Sequence, residues 1–392
     1  MRLHIHPLGR AVALATLGLS ALAAQAQSSY NYLPLKASSA LGSSAPRPQF
    51  INSKGVVAGV SDIAVNARWT WSTLFGLQLT ADRWITVGTT WSRSGAITLL
   101  DNGKTADVQP YAVGGINTAG LVVGRTELGR AMSVIGTTKT VLAAADASSM
   151  ALGVNDQGWV VGLNGGHAHM WRNGQATDLH PANSPWTYSE AVAVNNANRV
   201  ALTLMGSSRD EFDRLVRLPQ ACATWRDNGW TLLSSAGQRW CRLTGLNDRD
   251  TAIGQIGAGE ATAQAVDDTT WVGVSWQGQG EPQALPLPTG WVVAAGTRVR
   301  LVPRGINNLG VIVGDIVTAT PSPSVPGAFY ETTEGFVHRN GQTLALSKLL
   351  KGQRSTTKVV SATSVNDEGR IVVSLAGTGI TTSYSGVLTP NP

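Results

Sequence analysis

Four side chains in one short stretch could do chemistry together: His167, His169, Asp178 and His180. Asn173-Gly174 between them is a two-residue turn signal. A hairpin there would pair Trp171 with Ala176, His169 with Asp178 and His167 with His180. All four side chains would then share one sheet face, with cross-strand partners within ~5.5 Å at Cβ. Three imidazoles and a carboxylate so placed could hold zinc or another divalent metal. The simpler expectation is a hydrogen-bonded His169–Asp178 pair on a face packed against its neighbour, so no metal or other cofactor is assigned. Trp69, Trp71 and Trp84 form a second group. Exposed, they would stack on sugar rings or an aromatic partner. Buried, they would belong to an extra hairpin packed on the body, and large apolar side chains favour that expectation. Asp210, Glu211 and Asp213, around Phe212 in RDEFDRLVR, offer too few spaced oxygens for a calcium loop and read as a solvated, self-paired loop.

Catalytic signatures are missing from the sequence. It has no Gly-x-Ser-x-Gly elbow, phosphate loop or zinc-protease helix. Paired carboxylates for sugar hydrolysis could still be assembled from separate loops. Cys222 and Cys241 are the two cysteines. In an oxidising compartment they are expected to pair as a disulfide that pins one local connection, contributing roughly 2–4 kcal/mol, with two buried thiols as the alternative.

That compartment is suggested by the amino end. Residues 1–10 carry Arg2 and Arg10 and no acid, residues 11–23 are apolar, and Ala24-Gln25-Ala26 supplies small residues for cleavage. This reads as a signal peptide over residues 1–26, cleaved near Ala26, with an apolar run too short to span a bilayer. No later run approaches a membrane helix, so no integral membrane segment is expected. The net charge of +6 falls to +4 once the two leader arginines are removed, too weak and scattered to indicate nucleic acid. Charged residues are only 14% of the chain and there are 44 glycines, which favours strands and tight turns over helical bundles.

The elements that must position these residues come from an internal repeat. An aliphatic residue, Asn, two polar or small residues, Gly and an aliphatic run recur at Asn52, Asn117, Asn155, Asn195, Asn247, Asn307 and Asn366. The Asn side chain can bond backbone two residues on, and the Gly supplies positive φ for a tight antiparallel turn. Two copies carry Asn198 and Asp250 instead of Gly, the non-Gly types most tolerant of left-handed backbone. A second half-motif has a small column (Gly88, Ala131, Ala168, Cys222, Gly273, Gly335, Gly386) three residues before a large one (Trp91, Val134, Trp171, Trp225, Trp276, His338, Thr389). A leucine column follows at Leu99, Leu142, Leu179, Leu233, Leu285 and Leu346.

Each unit is therefore four short strands, a to d, with Asn-to-Asn spacings of 65, 38, 40, 52, 60 and 59 residues. The expected fold is all-β, a single seven-bladed β-propeller over residues 27–392. The last unit lacks strand d, and Tyr30–Leu35 is strand-like without a partner, so the amino-terminal strand is expected to complete the last blade. The a–b and c–d turns would share one face of the disc. The long insertions (60–86, 203–219, 255–270 and 315–333) would emerge on the other, the favoured place for a site.

The stretch His167-Ala168-His169-Met170-Trp171-Arg172-Asn173-Gly174-Gln175 resembles the repeat unit of the extracellular HAF-repeat family, named for His-Ala-Phe, with His169 where that family has Phe. Gly335–Gln342 is a weaker copy. The resemblance implies a propeller-like exported protein without an assigned activity, and a His at position 167 as an ordinary family feature. The functional expectation is an exported, non-enzymatic binding or scaffold module at the cell envelope, monomeric, in the periplasm or secreted, with a glycan or envelope protein as partner. The alternative is an exported polysaccharide hydrolase or lyase, which would gather two or more carboxylates in a central funnel on the long-insertion face.

Overall fold

The computed structural model describes residues 29–37, 46–73, 76–101, 110–209, 215–258, 271–325, 327–352, 356–377 and 384–391. Seven four-stranded antiparallel sheets follow one another along the chain. Blade one is built from Arg47–Ile51, Val57–Val65, Arg83–Trp91 and Ile97–Leu99. Blade two takes Pro110–Ile116, Val122–Thr126, Ala131–Ile135 and Thr138–Val141, and blade three Met150–Val154, Val160–Asn164, His167–Arg172 and Gln175–Asp178. Blade four takes Tyr188–Val194, Val200–Arg209, Leu215–Arg226 and Gly229–Leu232, and blade five Trp240–Leu246, Thr251–Gly257, Val272–Gln277 and Gln283–Ala284. Blade six is Arg298–Ile306, Ile312–Pro321, Phe329–Arg339 and Gln342–Ala345. The first strands touch in succession, and that of blade seven (Thr357–Val365) meets that of blade one, so the row closes into a propeller around a central channel.

Closure follows the expected plan. Blade seven adds Ile371–Gly377 and Tyr384–Pro390, and its outer strand is Tyr30–Pro34, antiparallel to Tyr384–Pro390 with Tyr32 opposite Leu388. Tyr30 is buried there, and the Tyr32 hydroxyl donates to the Ser385 carbonyl at 3.1 Å. Burial, with Tyr384 nearby, pushes the Tyr32 phenol up to about 12.

The repeat columns are the contacts between blades. At the small column, a Cβ on Gly273 would lie 2.6 Å from the Leu301 carbonyl, and one on Gly335 2.6 Å from Val359, each in the next blade. The large column is buried beside it at Trp91, Val134, Trp171, Trp225 and Trp276, and three of its indoles bond backward. Trp91 Nε1 donates to the Lys36 carbonyl, Trp171 to Ala143 and Trp276 to Ser234, each just past the outer strand of the preceding blade. The leucine column needs one correction. The backbone bond from Leu142 to Ala131, repeated by Leu179, Leu233 and Leu285, is made in blade one by Leu100 to Gly88, so Leu100 and not Leu99 holds that place. Cys222 and Cys241 form a disulfide with Cα atoms 5.5 Å apart. It joins the third strand of blade four to the first strand of blade five, so it staples two blades where the small column brings them closest.

The turn reading holds at the two exceptions as well. Gly55, Gly120, Gly158, Gly310 and Gly369 have φ of +75° to +87°, and Asn198 and Asp250 sit at +61° and +59°.

Each first strand also carries a bulge three residues before its Asn: Gln49, Gly114, Leu152, Val192, Thr244, Arg304 and Thr363. The bulge presses a carbonyl toward the second strand. A Cβ on Gly124, Gly162, Gly254 or Gly314 would lie 1.8–2.1 Å from the Ala112, Met150, Arg242 or Val302 oxygen. The glycine that closes the aliphatic run of the repeat is thus a steric seat for the bulge.

Candidate functional site

The seven repeat asparagines, each only 3–5% exposed, meet at one mouth of the channel. Within each turn the Asn Oδ1 accepts from the backbone N–H four residues on, at 2.8–3.0 Å. Its amide does something a single repeat cannot reveal: Nδ2 donates to the backbone carbonyl of the Asn in the next blade. The bonds run Asn52 to Asn117, to Asn155, to Asn195, to Asn247, to Asn307, to Asn366 and back to Asn52, at 2.9–3.1 Å. The turns without Gly reinforce this chain, because Asn198 Oδ1 and Asp250 Oδ1 each accept from the amide of the preceding blade's Asn, both at 3.0 Å. The expected side-chain bond two residues on is an addition in three turns, where N–H groups of Ala197, Arg249 and Leu309 also reach their Asn.

The next residue of each turn forms an outer rim. Asp156 Oδ1 accepts from Thr118 N–H, Asn196 Oδ1 from Asp156, Asp248 Oδ1 from Asn196, Asn308 Oδ1 from Asp248 and Asp367 Oδ1 from Asn308, at 2.7–2.9 Å. Asn196 and Asn308 spread their amides across the second carboxylate oxygens of Asp156, Asp248 and Asp367. Every carboxylate oxygen of the three aspartates therefore accepts an N–H, and this mouth, an open cavity of about 720 Å³, is a hydrogen-bonded lock before it is a receptor. Its signal in the sequence was the Asn column itself.

At the other end of the channel Gln49, Met150, Leu152, Val192, Arg304 and Thr363 line the opening with Glu190, the single carboxylate there among the described residues. Arg304 also pairs with the buried Asp315, whose second oxygen accepts from Ala362 N–H of blade seven. The paired carboxylates required of a polysaccharide-cleaving site are not gathered here among the described residues.

The histidine group forms the expected hairpin, with His169 opposite Asp178 and Trp171 opposite Ala176. The contacts differ from the expected pair. His167 Nδ1 meets Asp178 Oδ2 at 2.9 Å, and the His167 and His180 rings stack with centroids 4.1 Å apart. His169 turns away, with Nδ1 toward the His167 carbonyl at 3.3 Å and its ring beside Trp171. His180 Nε2 bonds the Trp186 carbonyl, which can only accept, so that nitrogen carries the proton and Nδ1 accepts from Ser189 Oγ. Burial, helped by His167, lowers the His180 pKa below its ordinary value. Burial opposes ionisation of Asp178, but the bonds from His167 and the His180 N–H outweigh it and hold this carboxyl low. The four side chains do not converge on one point. Among the described residues no group of three or more His, Cys, Asp and Glu is arranged to hold a metal.

The extra hairpin is present, but the expectation that the tryptophans are buried in it is overturned. Trp69, Trp71 and Trp84 are 57%, 75% and 57% exposed. Trp69 and Trp71 stand on a two-stranded ribbon, Arg68–Ser72 against Gly76–Thr80, with Leu77 exposed opposite Trp71. The ribbon projects from the long connection of blade one and so has no neighbouring blade to cover it. Its base is clamped by Asp82, which accepts from Asn66 Nδ2 at 2.8 Å and Arg68 at 2.9 Å; these bonds lower the Asp82 pKa. The other long insertions are also ribbons where described. Val200–Arg209 pairs with Leu215–Arg226, and Ile312–Pro321 with Phe329–Arg339. Asp210, Glu211 and Asp213 lie outside the described residues, as does most of 255–270.

No helix among the described residues is long and apolar enough to cross a membrane. No protein-family model matches the chain, and no curated protein sequence matches it. Among solved structures, PorZ, described as an essential bacterial surface component of the type-IX secretion system of Porphyromonas gingivalis, is similar with a TM-score of 0.24 and 9% identity. The match covers 87% of this chain and 59% of PorZ, so the chain spans less than two thirds of that protein. The propeller assignment stands on the seven sheets and their closure.

Proposed function

We propose that this propeller is an exported, non-enzymatic binding or scaffold module of the cell envelope, of the HAF-repeat type, with a glycan or envelope protein as partner. The observation that carries the reading is the aromatic ribbon of Trp69, Trp71 and Leu77, held away from the ring by a clamped base, with Trp84 exposed on the adjoining strand of blade one. Exposed indoles grouped on one projection supply contact area at little conformational cost, the usual anchor of an interface. The disulfide supports an oxidising compartment. Residues 1–26, which lie outside the described residues, are read as the export signal.

The test is co-sedimentation of the purified protein with envelopes of its own source, comparing wild type with the Trp69→Ser/Trp71→Ser/Trp84→Ser variant. The reading expects wild type in the pellet, the variant in the supernatant and matching thermal melts. Equal partition of the two proteins would remove the ribbon as the contact. Sequencing the amino end of exported protein should find it near Gln27; an intact Met1 on protein outside the cytoplasm would refute the leader.

A further inference from the structure

Each pair of neighbouring blades leaves a cleft on the side of the a–b and c–d turns. One blade contributes the residue four after its Asn, and the next contributes its large-column residue. In two clefts an arginine at the first of these positions fills the space. Arg199 bonds Asp250 and Thr224 in the cleft between blades four and five, and Arg370, 3% exposed, reaches the Gly55 and Arg93 carbonyls between blades seven and one. The cleft between blades two and three is also open, at about 810 Å³, with Leu121, Val141 and Leu142 opposite a single indole, Trp171. Between blades three and four both positions are indoles, Trp159 and Trp225, and the cleft stays open at about 860 Å³.

The rest of this cleft is built from the outer hairpin of blade three. Met170 pairs with Thr177 and Arg172 with Gln175. These two pairs are two residues apart along the strands, so their side chains share one face, and all four line the cleft. Met170 is buried at its floor, while Arg172, Gln175 and Thr177 are exposed. The Arg172 guanidinium lies 4.4 Å from the centre of the Trp159 ring and holds that indole in place. Asn228, at the left-handed turn of blade four, closes the far edge.

A flat indole wall combined with amide, hydroxyl and guanidinium groups is the complement of a pyranose, which presents C–H faces and a rim of hydroxyls. We infer that the cleft between blades three and four is a saccharide-binding subsite for a neutral hexose chain, with the sugar packed against the half-buried Trp159 above the buried Trp225. Gln175, Thr177 and Arg172 bond the hydroxyls. The site lies on the opposite face of the disc from the aromatic ribbon and goes beyond the envelope reading, since either surface can act without the other.

The experiment is isothermal titration of the purified protein with cellohexaose, maltohexaose and chitohexaose. At least one should bind with Kd tighter than about 1 mM. Gln175→Ala should weaken it about tenfold or more without changing the melt, and Trp159→Ala should weaken it as much while lowering the melt, because that indole packs on the buried cluster around Met170 and Trp225. Trp159→Tyr keeps a flat ring and should retain most of the affinity, which separates stacking from a folding defect. Trp69→Ser/Trp71→Ser should leave the affinity unchanged. Failure of all three sugars to bind would overturn the inference and leave the ribbon reading standing. Binding that survives Trp159→Ala but is lost in the ribbon variant would overturn it too, while supporting the ribbon as a glycan contact.

Discussion

Asn247 offers the sharpest perturbation of the ring. Its amide donates to the Asn307 carbonyl at 2.9 Å, and its Oδ1 accepts from Thr251 N–H at 2.8 Å and Arg249 N–H at 3.0 Å. It is 4% exposed, so water cannot fully replace what is removed. Asn247→Ala deletes three bonds of roughly 0.5–1.5 kcal/mol each and leaves buried groups unpaired, for a cost of about 2–4 kcal/mol. Asn247→Asp isolates the amide, because it keeps both accepted bonds and sets a carboxylate oxygen against the Asn307 carbonyl. That carboxyl gains a bond when protonated, so its pKa rises in the folded state above the ordinary value of about 3.9. The native state then binds more protons than the unfolded chain, and stability falls as pH rises through the folded pKa. The deficit of Asn247→Asp should therefore be full near neutrality and shrink as the pH is lowered toward the unfolded value. Urea unfolding followed by tryptophan fluorescence at several pH values measures both variants. Ser53→Ala, which removes only an exposed hydroxyl contact with Thr118, should cost under about 0.5 kcal/mol. An Asn247→Ala protein as stable as Ser53→Ala, or an Asn247→Asp deficit indifferent to pH, would refute the cross-blade bond.

Three further outcomes follow from other contacts. Replacing Cys222 and Cys241 by alanine opens a loop with a sequence separation of 19 and should lower stability by about 3 kcal/mol, with hydrogen exchange rising first at the boundary of blades four and five. Gly162→Ala places a Cβ 2.0 Å from the Met150 carbonyl and should cost about 1–3 kcal/mol in a urea melt. A mutant with wild-type stability would show that the bulge does not need the glycine. His180 and His338 both have pKa values lowered by burial. Their contribution is complete above the unfolded value of about 6.5 and is lost as pH falls through the folded values. An imidazole NMR titration should place both midpoints below the free-histidine value; a midpoint above it would contradict the neutral His180 bonded between Ser189 and Trp186.

Local chemistry was readable where one residue decides one backbone conformation. The turn glycines, with Asn198 and Asp250 standing in for two of them, marked all seven a–b turns because few residues accept that φ. The small and large columns were legible because blade contact demands size. What needs two periods at once was not legible: the Asn amide acts on a carbonyl one blade away, and no spacing within a unit encodes that partner. The bulges were hidden because Gln49, Leu152, Val192 and Arg304 share no chemistry, and their trace was the strand glycine opposite. The ribbon tryptophans were misplaced because burial was inferred from residue type alone. Trp69 and Trp71 fall outside every repeat column, and that was the available sign that no neighbour covers them. The cleft between blades three and four was missed for a related reason. Trp225 belongs to a column, whereas Trp159 is the one aromatic at its position and stands out only when the seven copies are compared there.

A high-resolution crystal structure of the chain would decide whether the ring closes as described. It should show seven sheets, Tyr30–Pro34 hydrogen-bonded to Tyr384–Pro390, and an unbroken circuit of seven asparagine amides each donating to the following blade. A different number of sheets, an amino-terminal strand docked elsewhere, or amides turned out of that circuit would contradict the closed ring.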